Sequence, residues 1–333
     1  MKIMILGADG YLGWPTSVDL ASKNHDLLLI DNFTKKKLLD KYKRLPLVKN
    51  KSIHKRIDNL KNKNIKFENI DCSNYSKFSK IFKKFMPDAV IHYAELPSAP
   101  YSMFGHEEGW KTLQNNLQST FNLINCIKDF KKECHVIKLG TMGEYGTPNI
   151  NIEEGWLNVS HKKRAQMFLY PRQASSLYHT SKIMDTDLLW FYVRLYKLRV
   201  TDLMQGPVYG MKSSNKIEDE DLYPEFTYDD LFGTVLNRFI VQAVVGIPLT
   251  VYGTGDQIRG YINLIDTVKC INIALKNPAK PGSLEIYNQF TEQFSVNELA
   301  LKVKEALKKI NINVKVKKIK NPRIESEKHY YNA

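Results

Sequence analysis

Tyr178 and Lys182 stand four residues apart in Tyr178-His-Thr-Ser-Lys182. That spacing puts both side chains on one side of a helix. A free phenol has a pKa of about 10 and is a poor base at neutral pH. An ammonium one turn away lowers that value, and the phenolate then takes the proton of an alcohol as hydride leaves its carbon. Thr141, in Gly140-Thr-Met-Gly-Glu-Tyr-Gly-Thr-Pro148, supplies a hydroxyl that hydrogen-bonds the reacting oxygen. A four-residue spacing alone arises by chance on many amphipathic helices. It carries weight only beside a group that accepts the hydride.

The start of the chain is written for such a group. Lys2 to Leu6 is an apolar run that ends in glycine and reads as a buried parallel strand. Gly7, Gly10 and Gly13 follow, with Asp9, Tyr11 and Leu12 between them. Glycine lets a backbone turn this tightly and approach a pyrophosphate, whose charge then rests on the helix N-terminus. Asp31 ends the next apolar run, 18 positions after Gly13, with Asn32 beside it. A carboxylate there accepts from both adenosine ribose hydroxyls and repels a 2′-phosphate, so NAD is expected rather than NADP. Capping of a turn by the Asp31-Asn32 pair is the other reading. Asp71 and Cys72 fall after the third strand, beside the expected adenine; a helix N-cap region ahead of Asn74 fits them equally. Lys182 also reaches the nicotinamide ribose.

Positioning these groups takes a particular set of elements. Strands are expected over 26–30, 65–70, 89–92, 135–139 and 199–203. Helices are expected over about 10–22, 35–43, 52–61, 107–130 and 175–196. Strands that alternate with helices imply right-handed crossovers, hence an α/β fold with a Rossmann-type, doubly wound parallel sheet. After Gln205 the texture changes. Residues 212–228 are polar and acidic, a loop expected over a site, and helices at 229–245, 264–276 and 295–309 surround a short strand at 284–288. The expected division is an NAD-binding domain of 1–204 and 229–278, with a smaller C-terminal substrate-binding domain of 205–228 and 279–333.

Composition removes other classes. The chain has 333 residues, 43% of them hydrophobic and 25% charged, which describes a globular body with a real core. The apolar run from Phe239 to Val245 is too short to cross a bilayer, so no membrane insertion is expected. A strand starting at Lys2 leaves no room for a leader, and Cys72, Cys126, Cys134 and Cys270 show neither metal spacing nor a disulfide framework. A reduced, cytoplasmic, metal-free protein is expected. The net charge of +14 raises the question of nucleic acid. The lysines cluster in 35–66 and 302–320 without stacking aromatics, which reads as solvated faces, so no nucleic-acid partner is expected. Such a surface also draws anionic small substrates.

Nearly the whole chain resembles the extended short-chain dehydrogenase/reductase family, whose members act on nucleotide sugars with NAD. Longer stretches are similar to a sulfosugar-forming branch of it: Ala99 to Met103, Lys138 to Pro148, Ile152 to Gly155, Gln173 to Ser176, Asn288 to Leu299, and Asn321 to Arg323 through His329 to Asn332. This resemblance implies UDP-glucose and sulfite as substrates, tightly held NAD, and a sulfite-donor protein as a candidate partner. The implied chemistry oxidises C4 of the hexose, loses water across C5 and C6, adds sulfite at C6 and reduces C4 again. A UDP-sugar 4-epimerase or dehydratase is the alternative within the family; a non-catalytic NAD-sensing protein is the alternative outside it, which the set Thr141, Tyr178 and Lys182 opposes. Related 4,6-dehydratases carry Asp and Glu directly after the threonine, whereas Met142 and Gly143 stand here. Methionine cannot protonate a leaving hydroxyl, so Glu144, Glu95 and His179 become the candidates. Their other readings are a turn cap, a loop hydrogen-bonder and a packed helix residue. Leu96 replaces a Gln of the branch after Ala94 and Glu95, and the likeness weakens over Asn158 to Leu169, which contains Arg164. The resemblance further implies a sugar-nucleotide pocket with Gln205 and Val208, Thr250 and Tyr252 beside the uracil, and Asn116 ordering backbone near the site; Arg259 and Arg323 are candidates to clamp the diphosphate or else to form surface salt bridges, and Arg238 is a further substrate-side candidate without an assigned role. The helices at 107–130 and 175–196 are apolar on more than one face and must bury a second one; the resemblance implies that a homodimer buries it, the other reading being two faces buried within a monomer.

Overall fold

A computed structural model describes all residues except 48–49, 61, 63, 149, 215–218 and 323–332. In the first half lie β1 (Lys2–Leu6), α1 (Gly13–Ala21), β2 (Asp26–Asp31), α2 (Thr34–Lys41), α3 (Ile53–Asp58), β3 (Ile65–Asn69), α4 (Tyr75–Phe85), β4 (Ala89–His92), α5 (Ala99–Ser102), α6 (His106–Phe130) and β5 (His135–Thr141). A hairpin of β6 (Trp156–His161) and β7 (Arg164–Leu169) precedes α7 (Leu177–Tyr196), β8 (Arg199–Gln205) and β9 (Val208–Tyr209). Then come α8 (Val235–Val244), β10 (Leu249–Tyr252), β11 (Ile258–Asn263), α9 (Leu264–Lys276), β12 (Ser283–Gln289), β13 (Glu292–Ser295), α10 (Val296–Lys308) and β14 (Val316–Ile319).

The main sheet is parallel and seven-stranded, in the order β12-β8-β5-β4-β1-β2-β3. Its inner strands are apolar on both faces because helices cover both: Ile3 to Leu6, Leu27 to Ile30 and Ala89 to His92 are all buried. Phe78, Phe82, Leu123, Ile127, Leu189 and Val193 fill one side from α4, α6 and α7. Trp14, Val18, Ile271 and Leu275 fill the other from α1 and α9. Strand order reverses between β1 and β4, which opens a crevice at their carboxyl ends.

The doubly wound sheet is as expected, but the division of the chain is not. Segment 235–263 packs away from the nucleotide-binding body. Phe239 of α8, Leu249 and Val251 of β10 and Tyr261 of β11 form one apolar cluster with Leu299, Val303 and Leu307 of α10. The reason is pairing: β10 runs beside β14, and β11 lies between β13 and β9. Conversely β12, expected in the smaller domain, pairs along its whole length with β8 in the main sheet. Only α9 of the expected 229–278 segment returns to that sheet.

Among the elements beyond the expected set are α4 and the β6–β7 hairpin. Asn74 caps α4 by accepting from the Lys77 N–H at 3.1 Å, and Phe78 and Phe82 set its buried stripe. The β6–β7 hairpin turns on Lys162 and Lys163 at φ 47° and 64°, a left-handed pair usually signalled by Asn-Gly. The loop expected over the site at 212–228 continues into a segment whose described part, 219–234, is bound to the lysine-rich excursion of 32–60. Arg44 grips Asp230 at 2.6 Å, Lys51 pairs with Asp221, and the Leu47 N–H donates to the Phe226 carbonyl at 3.1 Å.

Candidate active site

One cavity of about 460 Å³ opens at the crevice and runs from the glycine turn to the second lobe. Gly7, Gly10, Tyr11, Leu12 and Gly13 line one end. Gly7 sits at φ +78°, and a Cβ there would lie 2.7 Å from the Tyr93 carbonyl; a Cβ on Gly13 would land on the Gly7 carbonyl oxygen. The backbone must therefore be bare here, which leaves its N–H groups and the start of α1 open to an anion. Asp31 lines the same end. Its Oδ2 accepts from the Asp9 N–H at 2.9 Å and its Oδ1 from the Phe33 N–H at 2.8 Å. Burial raises its pKa against those bonds. Each oxygen keeps a lone pair for a ribose hydroxyl, so these residues fit a dinucleotide.

Neighbouring candidates divide. Asn32 lines the cavity and also accepts from the Thr34 N–H at 2.9 Å. Asp71 likewise lines the cavity while closing a turn through the Ser73 N–H at 2.8 Å. Buried Cys72 walls the same region, its thiol pushed up by desolvation. Asp9 is a correction: its side chain does not line the cavity but is held by Lys36 and Arg56. Arg56 is fully buried and stacks 4.2 Å above the Trp14 ring. The pair ties the 32–60 excursion to the glycine turn. Lys35, which motif reading passed over, joins the wall beside Asp31 and Asn32, with its pKa lowered by burial.

The reactive end is built by the carboxyl ends of β4 and β5 and the start of α7. Thr141, Met142, Gly143, Tyr178, His179, Ala94 and Glu95 line it. Thr141 ends β5, and its Oγ1 accepts from the Gly143 N–H at 3.2 Å. Tyr178 and Lys182 share a face of α7 as expected, but the Lys182 ammonium is held by Glu95 at 2.5 Å. Burial first, then the charges of Glu95 and Glu144, push the phenol's pKa up, with Lys138 opposing. The lowering expected of Tyr178 drew on the nicotinamide's positive charge as well as on Lys182, and here the Lys182 charge is shared with Glu95.

The three proton-transfer candidates also separate. Glu144 is fully buried and does not line the cavity. Its Oε1 accepts from the Thr141 N–H at 3.2 Å and lies 3.4 Å from Lys138, and its Oε2 lies 3.3 Å from Arg172. It acts as the turn cap, and a catalytic Glu144 is corrected on that ground. Glu95 lines the cavity but serves Lys182. His179 faces the cavity with its ring 5.1 Å from that of Tyr178, packed so closely on Gly143 that a Cβ there would strike its Nε2. Asn116 braces the site as implied: it accepts from the Leu96 N–H at 2.8 Å and donates to Ser181 Oγ at 2.9 Å. Leu96 is buried among Leu38, Tyr101 and Leu231.

In the second lobe Gln205, Val208, Tyr252, Arg238 and Arg259 line the cavity. Gln205 donates to Gln289 Oε1 at 2.7 Å, and the Arg238 guanidinium lies 4.0 Å over the Tyr252 ring. Thr250 is a further correction. It does not line the cavity, because its hydroxyl accepts from Gln242 at 2.8 Å and its N–H donates to the same side chain at 3.0 Å. Tyr11 joins the lobes by donating to the Gly210 carbonyl at 2.5 Å. Arg323 lies outside the described residues. Among the described residues no group of His, Cys, Asp and Glu could hold a metal ion, and no helix is long and apolar enough to cross a membrane.

Residues 3–288 match the model of the NAD dependent epimerase/dehydratase family. The chain is 45% identical over its whole length to UDP-sulfoquinovose synthase, chloroplastic, of Spinacia oleracea, spanning 70% of that protein. It is 39% identical to UDP-sulfoquinovose synthase of Sulfolobus acidocaldarius, spanning 85% of it and all of this chain. In fold it matches UDP-glucose 4-epimerase of Bifidobacterium longum, solved with NAD+ and UDP, at a TM-score of 0.74 and 20% identity over 100% of this chain and 90% of that one. With a bare glycine turn, Asp31, Thr141 and Tyr178 lining one cavity and Lys182 buried one turn behind Tyr178 on α7, the chain belongs to the NAD dependent epimerase/dehydratase family and, within it, to the UDP-sulfoquinovose synthases.

Proposed function

We propose that this enzyme converts UDP-glucose and sulfite to UDP-sulfoquinovose with NAD as a recycled cofactor. The observation that carries this reading is the 45% identity over the whole chain to a UDP-sulfoquinovose synthase. Gly7, Gly10, Gly13, Asp31, Asn32, Asp71 and Lys182 would hold the dinucleotide. Bound there, NAD supplies a hydride acceptor at sugar C4 and a positive ring that favours the Tyr178 phenolate.

The side chains do the remaining work. Thr141 orients the C4 hydroxyl and Tyr178 takes its proton. The C4 ketone acidifies the C5 hydrogen, and His179, beside Tyr178 in the cavity wall, moves the protons at C5 and C6. Met142 has no proton to give, which separates this site from the related dehydratases. Sulfite then adds to C6 of the enone, and Tyr178 returns its proton as C4 is reduced. Arg238 and Arg259 face the diphosphate, and Tyr252 the uracil. Thr227, Leu231 and Phe232 from the 219–234 segment wall the cavity and exclude water.

A homodimer belongs to the same proposal. Trp110 and Phe121 of α6 and Phe191 and Leu195 of α7 are 58%, 48%, 48% and 57% exposed, more apolar surface than two packed helices leave to water. Delivery of sulfite by a donor protein rests on the resemblance, and a cytoplasmic place of action on the free cysteines. The deciding experiment incubates the purified NAD-loaded protein with UDP-glucose, with and without sulfite. A sulfite-dependent product carrying a sulfonate is expected; UDP-galactose formed whether or not sulfite is present would overturn the reading in favour of an epimerase.

A further inference from the structure

A buried lysine that the proposed chemistry does not use stands between the two elements that carry the reactive hydroxyls. Lys138 lies on β5 three residues before Thr141, and its side chain is 0% exposed. Its three N–H donors meet the Thr186 hydroxyl at 2.7 Å, Asp202 Oδ2 at 3.1 Å and the Lys182 carbonyl at 3.2 Å. Lys182 and Thr186 are one turn apart on α7, and Asp202 is the β8 residue that pairs with Lys138 across the sheet. Thr186 in turn donates to Asp202 at 2.7 Å, so Lys138, Thr186 and Asp202 close a ring between strand and helix.

The same ammonium reaches the turn after β5. Glu144 Oε1 lies 3.4 Å from it and accepts from the Thr141 N–H at 3.2 Å. Gly140 gives the cluster its room: a Cβ there would lie 2.5 Å from Asp202 Oδ1 and 3.1 Å from Glu144 Oε1. Arg172 makes a second bridge, from Glu144 at 3.3 Å to Asp187 of α7 at 2.5 Å. The Asp187 side chain is 58% exposed, so water screens that outer link, whereas Lys138, Glu144 and Asp202 are screened by nothing. Stability alone is a weak reason for such a cluster, because well-packed apolar side chains of similar volume often hold a core as firmly as buried ions do. What the ring adds is direction. In the proposed chemistry Thr141 and Tyr178 address one sugar oxygen from different elements, and Lys138 contacts the backbone of one and the turn of the other. Its charge also opposes the rise of the Tyr178 pKa.

We propose that Lys138 is a positioning residue: through Lys182, Thr186 and Glu144 it fixes the Thr141 hydroxyl and the Tyr178 phenol in the register that hydride removal from C4 requires. It lies outside the cavity wall and transfers no proton. The inference rests on the proposed function only for C4 oxidation, a step that the synthase and epimerase readings share.

The test uses Thr186→Val and the paired variant Lys138→Met, Asp202→Asn in the full chain. The pair removes the ring together with its buried charges, and Thr186→Val changes no charge. On mixing the NAD-loaded paired variant with saturating UDP-glucose, bound NADH should form about 10²-fold more slowly than in the wild type. KM for UDP-glucose and NAD affinity should stay within about twofold of wild type. Thr186→Val should lose less, in the same step. Wild-type hydride-transfer rates in the folded variants overturn the proposal, as does a raised KM with kcat unchanged. Hydrogen exchange read by mass spectrometry decides without turnover, so it stands even if the wild type forms no NADH and the proposed function fails. Peptides covering 139–146 and 178–190 should exchange faster in both variants, with β1, β2 and α10 unchanged. Unchanged exchange in those two peptides, or acceleration spread evenly over the sheet, overturns the proposal. If the paired variant does not fold, Thr186→Val decides both arms.

Discussion

Thr141 uses one hydroxyl twice: it caps the turn at Met142–Glu144 and lines the cavity beside Tyr178. Thr141→Val should therefore lose about 1 kcal/mol of stability with the cap and lower kcat by roughly 10²–10³ with the donor. Thr141→Ser should keep both; thermal denaturation and steady-state rates on the same preparations check it. Tyr178→Phe removes only the proton carrier. It should reduce kcat by about 10²–10⁴ while the protein still binds NAD, as read by fluorescence titration. Residue types and spacing made Thr141, Tyr178, Lys182 and Asp31 legible in the sequence, because those roles need those functional groups. The state of the groups was not legible. Glu95 lies 87 residues from Lys182, and no local pattern announces that it neutralises the ammonium and leaves the phenol pushed up. Asp9 deceived for the same reason, since its partner Arg56 is 47 residues away.

Elements set the geometry that the residues use. The turn after β5 admits the His179 ring because Gly143 has no Cβ. Gly143→Ala should displace that ring while leaving the glycine cradle intact. NAD affinity and hydride removal from C4 should stay within about twofold of wild type, and sulfosugar formation should fall about tenfold or more, in line with loss of a general acid–base group. Stopped-flow absorbance for the first step and product analysis for the second separate the two. Strong periodicity made β1, β2, β4, α6 and α7 readable. The hairpin of β6 and β7 was not, because its strands are largely exposed and carry no core pattern, and its turn lacks the residues that favour left-handed backbone. The division of the chain turns on β10, β11 and β12, whose strand partners lie in distant segments of the chain.

At the scale of the molecule, two faces are left to account for. If α6 and α7 pair with a second copy, the double variant Phe191→Glu, Leu195→Glu should elute at half the wild-type mass in size-exclusion chromatography, with the sheet intact by circular dichroism. Acid stability is a property of the whole fold. Burial lowers His92 to about 3 and His135 to about 4, and both are neutral in the folded chain. Their contribution is present above the unfolded value of about 6.5 and is lost as pH falls toward the folded values. Each should steepen the decline by up to about 1.4 kcal/mol per pH unit. Urea midpoints measured from pH 7 to pH 4 should fall less steeply in His135→Gln, a site remote from the cavity. A slope equal to wild type would show that His135 already titrates normally.

The sequence by itself determined the parallel sheet, the glycine turn, the carboxylate at the end of β2 and the hydroxyls of Thr141 and Tyr178 that line the cavity, because period, backbone freedom and functional group are local properties. Only the tertiary structure decided which charges stand against which. Glu144 became a cap, Asp9 a tether and Thr250 a packing residue. Desolvation and pairing depend on neighbours brought together from distant parts of the chain, and no window of sequence contains them.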